Sequence, residues 1–128
     1  MKAKILLVED DKDTRDIYEE VLVDAGFVVD TAVDGAFGLE KASKGGYDMI
    51  LLDLMMPNVD GLQFLERIGE NPPKTPNGPI LVLTNVSQDS VVQKALDLGA
   101  TAYFIKANIN PEQLLKEVRS FLLDSSAK

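Results

Sequence analysis

The chain has 128 residues with no cysteine and no histidine. That length suits one domain, and the missing residues exclude disulfides, thiolate metal sites, thiol nucleophiles and imidazole acid–base chemistry. The formal net charge of −8 and a pI near 4.4 argue against binding nucleic acid or an anionic membrane surface by bulk electrostatics.

The first apolar run, Ile5 to Val8, stops at Glu9, too short for a leader sequence. No stretch reaches the length of a membrane span, so a cytoplasmic domain is expected. Lys4–Val8 reads as a buried strand that opens into Glu9, Asp10 and Asp11. Residues 12–25 follow with a helical stripe of Ile17, Val21, Leu22 and Ala25, ended by Gly26. Phe27–Ala32 is the second strand, 35–44 a short helix closed by Gly45 and Gly46, and Asp48–Asp53 the most apolar strand. Leu62, Leu65 and Ile68 mark a third helix. Residues 69–79, rich in proline and glycine, read as an exposed loop. Ile80–Leu83 forms the fourth strand, ending at Thr84, and Val91, Val92, Ala95 and Leu98 stripe the fourth helix. Ala102–Ile105 is the fifth strand, ending at Lys106. The last helix starts near Asn110, an N-cap followed by Pro111 in the first turn. Residues 1–124 are expected to form the domain and 125–128 a C-terminal tail.

Five strands alternating with five helices predict an α/β fold, a parallel sheet covered on both faces with right-handed crossovers. In such sheets ligands gather beyond the carboxyl ends of the strands. Those ends carry Glu9, Asp10, Asp11, Asp53, Thr84 and Lys106. Carboxylates held close together destabilise one another, and a divalent cation reverses the sign of that interaction. Magnesium takes oxygen ligands of this type. Asp53 follows four apolar residues, and a carboxylate so placed can act as a nucleophile towards phosphorus. Lys106 can supply a point charge and Thr84 a hydroxyl donor to the phosphoryl oxygens. Asp11 and Asp13 have the plainer reading of helix-capping and first-turn acids.

At this point the sequence resembles the receiver domains of two-component response regulators over about residues 3–123. The matching stretches are LLVEDD at 6–11, DLMMPNVDG at 53–61, LTN at 83–85 and GATAYFIK at 99–106. The resemblance implies a flavodoxin-like, doubly wound (βα)5 fold with strand order 2-1-3-4-5. It implies that Asp53 is the phospho-acceptor and that Asp10, Asp53 and the Met55 backbone carbonyl bind Mg2+, with Glu9 acting through water. Mn2+ would substitute for Mg2+. Thr84 matches the switch hydroxyl, Lys106 the phosphate-binding lysine and Tyr103 the aromatic that turns inward on activation. The phosphoryl group would come from a histidine kinase, a histidine phosphotransfer protein or a small phosphodonor. Such a domain is not an enzyme beyond its own phosphorylation and dephosphorylation. A protein target or a homodimer would use the face of the fourth helix, fifth strand and fifth helix, which carries Lys94, Tyr103, Lys116 and Arg119.

Two positions depart from the family pattern. Ala107 stands where proline usually follows the lysine, so a trans Lys106–Ala107 bond and an altered loop are expected. Asn85 stands where a small residue usually follows the threonine. It is expected to narrow access to Asp53 or to give the phosphoryl group another hydrogen bond. Met55 and Val86 flank the site with side chains that orient water poorly, which predicts slow self-dephosphorylation. A Rossmann-type nucleotide binder would want glycines where Glu9–Lys12 stand. A dehalogenase-type phosphatase would want a second acid at Met55. A receiver-like interaction module that works without phosphorylation remains the alternative.

Overall fold

Ile5–Val8, Met49–Leu52 and Leu81–Leu83 bury apolar residues on both faces, which calls for helices on both sides of one sheet. The computed structural model describes residues 2–126. In chain order the elements are β1 (Lys4–Val8), α1 (Lys12–Asp24), β2 (Val28–Ala32), α2 (Gly35–Lys44), β3 (Met49–Leu52), α3 (Gly61–Glu70), β4 (Ile80–Thr84), α4 (Asp89–Asp97), β5 (Ala102–Ile105) and α5 (Pro111–Ser126). A 3-10 turn, Lys106–Asn108, links β5 to α5. The predicted tail, residues 125–128, begins inside α5, and Ala127 and Lys128 lie outside the described residues.

The strands form one parallel sheet in the order β2-β1-β3-β4-β5. Leu6, Val8, Ile50, Leu52 and Val82 face Ala42, Phe64, Leu65, Ile68 and Ala95, so α2, α3 and α4 cover one side. Ile5, Leu7, Met49, Leu51, Leu81 and Leu83 face Tyr18, Leu22, Leu114 and Val118, so α1 and α5 cover the other. Each such aliphatic side chain contributes about 1.5–3 kcal/mol by leaving water.

The stripe predicted for α1 is corrected by one position. Ile17 is 50% exposed, while Tyr18 is buried with Leu22. One residue is about 100° of helix, and the orientation that seats Leu22 against α5 and the sheet brings Tyr18 inward. The capping expectations hold. Asp11 caps α1, accepting from the Thr14 amide at 2.9 Å and its hydroxyl at 2.6 Å. Asn110 and Gln113 exchange side chain–backbone bonds at 2.8 and 2.9 Å at the start of α5.

The loop before β4 is anchored at its far end. Asn77 donates to the Ala42 carbonyl (2.9 Å) and accepts from the Tyr47 amide (3.1 Å). Gly78 donates to the Tyr47 carbonyl, and a Cβ at Gly78 would fall 1.9 Å from the Asp48 carbonyl oxygen. On the edge strand β2, Asp30 accepts from Lys41 (2.8 Å) and from the Tyr47 hydroxyl (2.7 Å). The Lys41 bond chiefly holds the Asp30 carboxyl below its usual range. A depressed folded pKa contributes stability above the unfolded value of about 3.9 that is lost as pH falls through the folded one. With the pair one-third exposed, Asp30→Asn should cost about 1 kcal/mol or less at pH 7. Urea unfolding should show that difference shrinking below pH ~4; an unchanged difference would exclude this origin.

Candidate functional site

Strand register decides which residues meet beyond the sheet. Val8 pairs with Leu52, so Glu9 and Asp53 leave their strands at the same level. The Glu9 amide still donates to the Ala32 carbonyl and the Asp53 amide to the Val8 carbonyl, both at 3.1 Å. Both side chains are consequently buried, at 2% and 6% exposure, while Asp10 turns outward. Carboxylate oxygens of Glu9, Asp10 and Asp53 lie within 4.8 Å of one another.

Lys106 follows β5, the edge strand beyond β4, and resolves the repulsion. Its Nζ lies 2.9 Å from Asp53 Oδ2 and 2.5 Å from Glu9 Oε1. The remaining oxygens take backbone donors: Glu9 Oε2 accepts from the Asp11 amide (3.1 Å) and Asp53 Oδ1 from the Met55 amide (3.2 Å). Burial pushes the Glu9 carboxyl up to about 7; the Lys106 hydrogen bond opposes the rise and the nearby Asp53 charge adds to it. For Lys106, burial favours the neutral amine, but the bonds to Glu9 and Asp53 outweigh it and hold the ammonium above its usual range.

Thr84 ends β4 fully buried, and its hydroxyl receives only a long contact, 3.5 Å, from the Val86 amide. The Tyr103 hydroxyl donates to the Val86 carbonyl at 2.6 Å. Asn85 is exposed, and its Oδ1 accepts from the Ala107 amide at 3.1 Å. The Lys106–Ala107 bond is trans, and residues Lys106–Asn108 form a 3-10 turn. Met55 lies at the rim, 66% exposed. With Asp10, Leu54, Met56, Pro57 and Asp60 it lines an open depression of about 440 Å3 beside the acids.

The loop from β3 to α3 is fixed from several sides. A Cβ at Gly61 would fall 2.6 Å from the Asp53 carbonyl oxygen, so only glycine lets α3 begin directly under the site. Asp60 caps α3 in a reciprocal pair with Gln63. Asn58, at φ 69, donates to Asp34 Oδ2 at 2.9 Å and ties this loop to the cap of α2. Arg15 Nη1 donates to the Glu9 carbonyl at 2.8 Å and clamps the acidic turn. Sequence reasoning missed Asn58 and Arg15. An asparagine in a proline-led turn, and an arginine one helical turn past the acids, were the available signals.

The structure therefore brings Glu9, Asp10, Asp53 and Lys106 together, with Thr84 on the next strand end and Met55 on the loop. Tyr103 is directed to the Val86 carbonyl. All acidic donors are oxygens, and the ammonium bound between two of them marks a demand for positive charge. The cluster suits a hard divalent cation such as magnesium.

A model of the response regulator receiver domain matches residues 5–119. The response regulator ArlR of Staphylococcus saprophyticus is 39% identical over 120 residues, covering 94% of this chain and 52% of the relative. The chain thus spans about half the length of such relatives. Among solved structures, the chemotaxis protein CheY4 of Vibrio cholerae superposes with a TM-score of 0.80 at 36% identity, covering 94% of this chain and 99% of that one. A CheY-like receiver domain from Methanospirillum hungatei gives 0.89 at 25% identity, covering 99% and 98%.

Lys106→Met would leave two buried carboxylates without their cation. The expected loss is about 3–5 kcal/mol in metal-free buffer, the cost of removing one partner of a buried pair. Magnesium should restore part of it, and chemical denaturation with and without the ion reads both effects. An unchanged unfolding midpoint in metal-free buffer would show that Lys106 does not compensate these acids.

Proposed function

The chain belongs to the response regulator receiver domains, and from that premise we propose that Asp53 accepts a phosphoryl group in a phosphorelay. The observation that carries the proposal is the buried Asp53 carboxylate, held by Lys106 and the Met55 amide beside Glu9 and Asp10. Pre-oriented in this way, it needs little reorganisation to meet phosphorus.

A carboxylate oxygen of Asp53 attacks the phosphorus of a phosphohistidine on a histidine kinase or phosphotransfer protein. The oxygen–phosphorus bond forms as the nitrogen–phosphorus bond breaks, and the electron pair stays on the imidazole. With acetyl phosphate the leaving group is acetate. Asp10, Asp53 and the Met55 carbonyl would hold Mg2+ or Mn2+, with Glu9 reached through water. When bound, the ion supplies positive charge to phosphoryl oxygens. Lys106, already bound to Asp53, would supply a second positive charge to the phosphoryl group, and the Thr84 hydroxyl would donate to a phosphoryl oxygen. Asp53 thereby carries its own phosphorylation without turnover of another substrate.

Recruitment of Thr84 moves the segment 84–86, whose Val86 carbonyl is bonded to Tyr103. The Tyr103 ring lies at the face of α4, β5 and α5, where it meets a protein target or a second copy of the chain. Lys116 lines a groove on that face with Tyr103. Among the described residues no helix is long and apolar enough to cross a membrane, and we place the domain in the cytoplasm, with no direct contact to nucleic acid.

Incubation with acetyl phosphate and magnesium should add one phosphoryl group by intact mass, and Asp53→Ala should abolish the gain. No gain in the wild type, or a gain that survives the substitution, would favour an interaction module that works without phosphorylation. The two acids of the opening turn separate in the same system. Asp10→Asn should weaken magnesium binding by about tenfold or more, ~1.4 kcal/mol, while Asp13→Asn should leave it nearly unchanged. Titration calorimetry reads both, and equal losses would reject the assignment of Asp10 as a ligand.

A further inference from the structure

Asn85 and Ala107 are the residues immediately beyond Thr84 and Lys106, and they meet. Thr84 pairs with Ile105, so Asn85 and Lys106 leave the sheet at one level. Asn85 Oδ1 then accepts from the Ala107 amide at 3.1 Å. This donor exists only because residue 107 is not proline, which has no N–H. The 3-10 turn that carries Lys106 has a long internal bond, 3.4 Å from the Ile109 amide to the Lys106 carbonyl, and such a bond is weak. The Asn85 side chain is the stronger tie.

We propose that Asn85 is a positioning residue for phosphoryl transfer at Asp53, fixing the turn after β5 so that Lys106 stays directed at the acceptor. The proposal rests on the reading of Asp53 given above. Asn85 acts through the Ala107 amide and holds Lys106 from behind, on the backbone side, while Glu9 and Asp53 hold it at the ammonium. The two positions that depart from the family pattern are therefore one feature: the amide donor that proline would remove and the acceptor that a small residue would lack. Releasing the tie leaves Lys106 charged and near the site but less ordered in direction, and small misplacements of a charge-stabilising group slow a transfer sharply.

The test is a double-mutant cycle of Asn85→Ala and Ala107→Pro, followed by the rate of phosphorylation with acetyl phosphate at saturating magnesium. Asn85→Ala should slow transfer about fivefold, from loss of one hydrogen bond of about 1 kcal/mol. It should leave magnesium affinity within about twofold, because Lys106 is not among the ligands; a merely structural lesion would lower both. Whatever Ala107→Pro does alone, Asn85→Ala should have no further effect in that background, since the donor is already gone. Amide hydrogen exchange supplies a measurement that needs no proline variant: exchange at Ala107 should quicken about fivefold in Asn85→Ala, again about 1 kcal/mol of protection. An equal Asn85→Ala effect with and without the proline, an unchanged transfer rate, or unchanged Ala107 exchange would each overturn the proposal. A wild type that takes no phosphoryl group overturns the reading of Asp53 and this one together, whereas normal wild-type phosphorylation with any of those three results overturns this one alone.

Discussion

The ammonium of Lys106 between Glu9 and Asp53 is the contact on which the site depends. Two carboxylates at 2% and 6% exposure cannot both ionise cheaply in a dry setting. The sheet forces the problem, because β1 and β3 pair in a register that releases both acids at one level. It also supplies the answer from β5, at the far edge of the same sheet. An edge strand is thereby joined electrostatically to the central pair. The charge balance around Asp53 is thus a property of the whole sheet rather than of one loop.

Much of this arrangement is legible in the chain. Short apolar runs such as Ile5–Val8 and Met49–Leu52, each followed by an acid, identify both the strands and the edge where their polar groups collect. Helix caps at Asp11 and Asn110 were readable because capping is a local relation between residues three apart. The Glu9–Lys106 contact was not. A lysine in that position points to a phosphoryl group alone, and nothing in local spacing pairs it with an acid at the other end of the chain. The same reason hid Arg15 on the Glu9 carbonyl, Asn58 on Asp34 and Asn77 on Ala42. Each joins a side chain to a group on a different element, so it exists only once the elements have packed. The choice of Tyr18 over Ile17 is of the same kind. Both fit an amphipathic helix, and the rotation that buries one of them is set by α5 and the sheet.

These cross-element bonds divide into two sets. Arg15, Asn58 and Gly61 immobilise the acidic side of the site: the turn after β1 and the loop after β3. On the other side, Thr84 is buried with only a long contact to its hydroxyl, and the segment after it is bonded to Tyr103. The stiff half suits holding a nucleophile and a cation. The β4 and β5 side is tied by the Tyr103 hydroxyl at the Val86 carbonyl and by Asn85 at the Ala107 amide, while the Thr84 hydroxyl keeps its long contact.

The Asn77 anchor separates length from geometry. Residues 71–76 lie between the end of α3 and a side chain clamped to the Ala42 carbonyl and the Tyr47 amide. That loop enters β4 at the amino-terminal edge of a parallel sheet, opposite the edge that carries Asp53. Extra chain inserted there would be absorbed before the clamp, so the register of β4, and with it Thr84, would not shift. The segment is therefore a natural port for a fluorophore, tag or fused peptide that reports on the domain from outside its chemistry.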